Sequence, residues 1–252
     1  MVLTILTDLK KLFGDYHIYL CMIGLGGIFC LMYICTLSSD AYIGGVVNSY
    51  LTISEGSEIL LLSFLLCIVG GSFLYCAEEK HSYLNFEIQR VGARKYTISK
   101  LITSLIGGFS TRFVANVIFL VGIMIHQWFA LGGLYFGEDG GAVMLWTCLF
   151  SSLRCAVLSA IGFLVSTYVP NYYIAMTVPL IMYYTILQVE YWVSYFLPVF
   201  PERFFFSSIY IEGISGEHLA KGFLYAIMYT ACIVVIMYKM ARKSIERRLE
   251  HA

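Results

Sequence analysis

Charged residues are scarce in this chain, and long stretches of it contain none. Asp, Glu, Lys and Arg together make up 13% of the 252 residues, whereas hydrophobic residues make up 60%. A typical soluble domain carries about 25% charged residues. So few charges cannot cover the surface of a water-soluble domain of this length, and the composition therefore favours a membrane protein.

The sequence also lacks the motifs of common metal, nucleotide and catalytic sites. Its eight cysteines all fall within apolar segments and none forms a C-x-x-C pair, which disfavours a disulfide framework or a metal site. No G-x-x-x-x-G-K-[ST] phosphate-binding loop occurs, and no Ser-His-Asp constellation is recognisable. We therefore predict no catalytic residue, no metal site, no cofactor bound by this chain and no nucleic-acid partner.

What the chain has instead is a series of apolar segments of membrane-crossing length. A helix needs about 20 apolar residues to cross about 30 Å of hydrocarbon. The segments that meet this requirement are 16–37, 58–76, 99–125, 143–167, 172–189 and 221–238. They predict an all-α polytopic membrane protein with six transmembrane helices, in which residues 1–252 form a single transmembrane domain.

The basic residues indicate how these segments are oriented. Most of the sixteen Lys and Arg residues flank one face of the predicted bundle, and only Arg203 and Lys221 flank the other. Because cytoplasmic loops carry the excess of Lys and Arg, both termini are predicted to be cytoplasmic, including a tail at 239–252. Residues 38–57 are then expected to form an outer loop. The expected location is a bacterial cytoplasmic membrane, crossed several times.

The first fourteen residues carry an amphipathic pattern. Apolar residues recur at i, i+3, i+4 and i+7 from Val2 to Phe13, with polar residues between them. Residues 1–14 are therefore predicted to form an interfacial helix, here called the elbow helix, on the cytoplasmic surface of the membrane.

The cytoplasmic loop 78–98 is the most polar part of the chain. Ser82 is a candidate cap for a short helix, Tyr83–Arg90, which Gly92 would end. The helix is expected to expose Tyr83, Leu84, Phe86 and Ile88 to the cytoplasm. Such an apolar surface needs a partner or the lipid headgroups to cover it.

The outer segment 190–220 is rich in aromatic residues and is interrupted by Pro198 and Pro201. Aromatic side chains favour the membrane interface, and proline breaks helices. We predict a re-entrant hairpin that dips into the outer leaflet.

Two arginines are predicted to lie deep in the membrane. Arg112 is twelve residues past Lys100 and Arg154 eleven past Val143, which places both near the middle of a span. Asn116 lies one turn from Arg112 on the same face. Buried arginines usually face a bundle interior or a watery cavity. Either these three residues line a path for an anionic group, or the arginines are structural, bonded to backbone carbonyls or to Glu58.

The overall pattern resembles the membrane subunits of ABC-2-type transporters. The likeness rests on the elbow helix, six spans with both ends inside, a cytoplasmic helix between spans two and three, and a hairpin between spans five and six. Its most specific stretch is 79–100, with Arg90-Val91-Gly92-Ala93-Arg94-Lys95-Tyr96 at its centre.

The resemblance implies a permease subunit of an ATP-driven exporter of a peptide or lipid-like substrate. A separate ABC ATPase would hold ATP and Mg²⁺, and a second permease would complete a homodimer or heterodimer among membrane lipids. The coupling residues it implies are Tyr83, Leu84, Phe86, Glu87, Ile88 and Arg90.

Two other interpretations remain open. The chain fits a non-transporting membrane receptor or assembly factor. Less well, Glu78-Glu79 is similar to the paired glutamates of intramembrane CAAX-type proteases. That pattern requires an Arg four positions after the second Glu, where this chain has Tyr83.

Overall fold

The computed structural model describes residues 2–38, 45–55, 57–80, 83–134, 140–193 and 216–250. Throughout these ranges the regular structure is helical and no strand is present, as the composition predicted. The helices are α1 Val2–Gly14, α2 Tyr16–Ser38, α3 Gly45–Ser54, α4 Ser57–Lys80, α5 Leu84–Val91, α6 Ala93–Leu131, α7 Gly140–Tyr168, α8 Tyr172–Val193 and α9 Gly216–Glu250.

Within the described ranges, three helical stretches are long and apolar enough to cross a membrane: Tyr16–Leu37, Ala93–Ala130 and Val143–Tyr168. A shorter apolar stretch, Leu60–Val69, lies within α4. Each of the six segments predicted from the sequence falls inside one helix, in the order α2, α4, α6, α7, α8 and α9. At 39 residues α6 is about 58 Å long, so it extends well beyond its predicted segment 99–125.

The core of the bundle lies where α6 and α7 meet, with α2 and α4 packed around them. The two helices approach closely at Gly108, where an added Cβ would lie 2.6 Å from the carbonyl oxygen of Cys155. One turn away, the hydroxyl of Ser104 donates to the carbonyl of Ser159 at 2.8 Å. The small residues therefore bring the two backbones together and leave little room for adjustment.

The expected outer loop 38–57 contains a helix, so the expectation of a loop is wrong for Gly45–Ser54. Val46, Tyr50 and Ile53 are spaced i, i+4 and i+7, and their side chains are buried in the core with residues of α2, α4 and α6. A helix was not predicted here because the segment is too short to span a membrane. Its apolar face is covered by the other helices of the bundle. Its last turn leads to Glu55.

The predicted helical conformation of residues 1–14 is present as α1, Val2–Gly14, and its apolar side chains are divided between buried and exposed positions. Leu12 is buried against Ile18 of α2, whereas Leu3 and Leu6 are exposed. One polar residue of α1, Asp8, is also buried. Of the predicted hairpin 190–220, residues 190–193 belong to α8 and residues 216–220 begin α9, whereas 194–215 lie outside the described residues.

Candidate functional site

The short helix predicted at Tyr83–Arg90 exists as α5, one residue later than predicted. It begins at Leu84, after Tyr83, and ends where Gly92 adopts a positive φ of 86° and donates its N–H to the carbonyl of Ile88. The predicted cap, Ser82, lies outside the described residues.

The exposure predicted for this helix is correct for one face and wrong for the other. Tyr83 and Phe86 are 63% and 64% exposed, and Arg90 is exposed as well. Leu84 and Ile88, one turn apart, are buried in a cluster with residues from the ends of α4, α6, α7 and α9. Burial of Leu84 and Ile88 fixes α5 to the bundle and leaves the Tyr83, Phe86 and Arg90 face open.

Glu87 connects α5 to a group of paired charges that we call the lysine cluster: Asp8, Lys11, Glu78, Glu87 and Lys100. Lys100 is at its centre, with an almost fully buried side chain. Its Nζ lies 2.9 Å from Asp8 Oδ1, 2.5 Å from Glu78 Oε1 and 4.0 Å from Glu87 Oε2. The cluster thus joins α1, α4, α5 and α6 at one point.

The other lysine closes the cluster from the surface. Lys11 Nζ lies 2.6 Å from Glu87 Oε1 and 3.3 Å from Glu78 Oε1. Partial burial lowers the pKa of Lys11, but the hydrogen bonds and charges of the two glutamates outweigh this effect and raise it above its ordinary value. Tyr96 donates to Glu78 at 2.8 Å, and Ser99 donates to Asp8.

The three carboxylates of the lysine cluster also lie close enough together to resemble a cation site, since their oxygens fall within 4.8 Å of one another. The ammonium groups of Lys100 and Lys11 already contact these oxygens. The arrangement is therefore explained as an ion-pair network in which two lysines contact three carboxylates, and no cation is needed to account for it. Sequence reasoning missed it because its members come from four separate helices.

A second buried group, the arginine cluster, consists of Glu55, Arg112 and Arg154. Arg112 Nη2 donates to the carbonyl of Ser54 at 2.6 Å and lies 3.3 Å from Glu55 Oε1. Arg154 Nη2 contacts the other oxygen of the same carboxylate. All three side chains are almost fully buried. The guanidinium of Arg112 also lies over the ring of Phe29, 4.8 Å from its centroid.

The arginines therefore have an acidic partner that the sequence analysis did not name. It is Glu55, on the turn after α3. The side chain of Glu58, the acidic partner that the sequence analysis named, lies outside the described set. Arg112 also donates to the backbone carbonyl of Ser54. A bond of this kind was expected if the arginines have a structural role. The signal that could have found Glu55 is the i, i+4, i+7 pattern of α3, which carries this residue into the bundle.

Asn116 lies next to the arginine cluster and is fully buried. Its Nδ2 donates to Ser151 Oγ at 3.0 Å and lies 3.7 Å from Cys148 Sγ, both on α7. Arg112, Asn116 and Arg154 are thus brought together along the interface of α6 and α7. Their assignment to a substrate path stays a prediction.

Comparison with known protein families, with curated proteins and with solved structures finds no match to this chain. The class that the described residues define is an all-helical protein with three helices suited to crossing a membrane. A short helix with one open face and two buried ionic clusters distinguish it within that class.

Proposed function

We propose that this chain is the permease subunit of an ABC-2-type exporter in a bacterial cytoplasmic membrane. The observation that carries the proposal is the division of α5 into two faces. Leu84 and Ile88 are buried in the bundle, whereas Tyr83 and Phe86 are left open next to Arg90. If a partner bound to the open face displaced α5, the buried contacts of Leu84 and Ile88 would transmit that displacement to the bundle.

Six spans with both termini cytoplasmic form part of the proposal. The end of α4, the start of α6, the end of α7 and the second half of α9 share one apolar cluster with α5. Ser244 of α9 donates to the carbonyl of Thr167 at the end of α7, at 2.9 Å. Alternating up-and-down helices would bring these ends together at the basic, cytoplasmic face.

The partner would be a separate ABC ATPase that binds ATP and Mg²⁺, and its surface would cover the open face of α5. Closure of two such ATPases would press on α5 and, through Glu87 and the lysine cluster, on α4 and α6. A second permease, identical or related, would complete the assembly. The substrate is proposed to be peptide or lipid-like, and Arg112, Asn116 and Arg154 are proposed to line its path.

The test is co-purification from the native cell in a mild detergent, with mass spectrometry of the proteins recovered. The wild-type chain should recover a soluble protein that carries a phosphate-binding loop. Phe86→Asp should reduce that recovery at least tenfold without lowering the thermal unfolding temperature, because the side chain is exposed.

Two variants serve as controls for this test. Lys243→Asp reverses a charge on the exposed surface of α9 and should leave recovery unchanged. Leu84→Asp places a charge in the apolar cluster and should lower the unfolding temperature itself. Recovery of the wild-type chain alone, in conditions that preserve other complexes, would contradict the proposal and favour a receptor.

A further inference from the structure

The hydrogen-bonding capacity of Arg112 is only partly used within the protein. A guanidinium has five N–H donors. The donors on Nη2 are directed to Ser54 and Glu55, whereas Nε and Nη1 are buried and have no hydrogen-bond partner in the part of the chain that the structure describes. Since Arg112 has no exposed surface, bulk water does not satisfy these donors.

Asn116, one helical turn further along α6, also has a side-chain atom whose hydrogen-bonding capacity is unused. Its amide nitrogen contacts α7, but its Oδ1 is buried without a partner among the described residues. Arg112 and Asn116 are four residues apart, so their side chains lie on the same face of the helix. Three unused N–H donors and one unused acceptor therefore lie along one face of α6.

The carboxylate that faces Arg112 is also shared. Glu55 contacts the guanidinium of Arg154 through its other oxygen, so it is not a counter-ion of Arg112 alone. A buried charge is retained when it is paired and hydrogen-bonded. Glu55 shows that the cluster accepts a carboxylate, and the unused donors of Arg112 are suited to a second anionic oxygen.

We infer that the arginine cluster is a binding site for one anionic group, a carboxylate or a phosphate, held by Nε and Nη1 of Arg112 beside Asn116. Identification of this group as the charged end of the transported molecule rests on the proposed function, whereas binding itself does not. Glu55 lowers the affinity of the site, because its carboxylate competes with the bound anion for the guanidinium of Arg112.

The test uses the full chain purified without any ATPase, so its outcome is independent of the docking of a partner. Thermal unfolding is measured in a neutral detergent with increasing inorganic phosphate, at constant ionic strength. A parallel series uses lipid discs of phosphatidylcholine with increasing phosphatidylglycerol. A ligand that binds only the folded state raises the unfolding temperature as its concentration passes the dissociation constant.

We expect phosphate to raise the unfolding temperature of the wild type, and Glu55→Gln to lower the half-saturating concentration about tenfold. Asn116→Asp, which is nearly isosteric and supplies its own carboxylate, should abolish the response. Arg112→Gln should abolish it as well. Lys95→Gln, which removes an exposed charge from the same helix, should respond as the wild type does.

A response to phosphatidylglycerol with none to phosphate would support the site and identify a lipid headgroup as the source of the anion. No response to either, or a response that persists in Asn116→Asp, would overturn the inference. If Arg112→Gln does not fold, an unchanged half-saturating concentration in Glu55→Gln would overturn it equally.

Discussion

Two buried cations on α6 have the same arrangement, although they lie in different parts of the bundle. Lys100 and Arg112 are twelve residues apart, which is about 18 Å along the helix. Each is held by carboxylates that come from other elements, Asp8 and Glu78 in one case and Glu55 in the other. Burial of these charges costs free energy unless the partners are in place, so each cluster fixes the position of α6 relative to its neighbours.

The importance of Lys100 can be measured with a pair of substitutions on the same helix. Lys100→Met removes the cation and leaves Asp8 and Glu78 buried without it, so we expect a loss of about 3–5 kcal/mol in the free energy of unfolding. Lys95→Met changes an exposed lysine and should stay within about 0.5 kcal/mol. Chemical unfolding in detergent micelles provides the comparison.

The double variant Asp8→Asn with Lys100→Met provides the internal check. It removes both members of the closest charge pair and should be more stable than Lys100→Met alone, because fewer unpaired charges remain buried. Asp8→Asn alone completes the double-mutant cycle, and additive effects of the two single substitutions would show that Asp8 and Lys100 do not interact.

Close packing of α6 on α7 leads to a second residue-scale prediction. Gly108→Ala places a Cβ 2.6 Å from a backbone oxygen of α7, so the helices must separate, at a cost of about 1–3 kcal/mol. Gly24→Ala makes the same chemical change on α2, where no atom lies within 4 Å of the added Cβ. That variant should be as stable as the wild type or slightly more stable. Equal unfolding temperatures for the two variants would contradict the close approach.

At the scale of elements, the long helices could be predicted from their apolar segments, whereas the short helix α3 was not predicted. Long apolar segments need no partner to be recognised as helices. Gly45–Ser54 is only ten residues long, and its apolar face matters only because α2, α4, α6 and α7 enclose it. The periodicity of α3 could have indicated that Glu55 follows a buried face, but the contacts of Glu55 with both arginines depend on how the helices pack.

The buried position of α3 can be tested by hydrogen exchange with mass spectrometry. Peptides that cover 45–54 should exchange as slowly as those from the core of α7, because the amides are both helical and enclosed. Residues 132–134, which follow α6 and are not helical, should exchange rapidly. If peptides from 45–54 exchanged as rapidly as 132–134, the segment would be a loop in solution.

For α5, the local sequence predicted the position of the helix correctly but not which of its side chains are exposed. The position of the helix and its end at Gly92 were predicted to within one residue, because glycine at a positive φ ends helices for local reasons. The exposure of Leu84 and Ile88 was predicted wrongly, since their burial depends on α9, whose residues Ala241 and Ile245 are more than 150 positions away in the sequence. Exposed residues and residues that fix the helix to the bundle alternate along the same eight positions.

At the scale of the whole molecule, the number of membrane crossings determines where the ends of the chain lie. Three helices satisfy the requirement of length and hydropathy within the described ranges, whereas the proposed function needs six spans. An odd number of crossings leaves the termini on opposite sides of the membrane, and an even number leaves them on the same side. The distribution of basic residues predicts the same side, the cytoplasm.

Reporter fusions at each end can measure this directly. Green fluorescent protein fluoresces when it is fused on the cytoplasmic side, and alkaline phosphatase is active only on the outer side. We expect fluorescence from fusions at both the start of α1 and the end of α9, and phosphatase activity from fusions after Leu134. Phosphatase activity at one terminus alone would establish an odd number of crossings. Phosphatase activity at the end of α9 would contradict a cytoplasmic position of that end and, because α5 packs against it, the docking proposal.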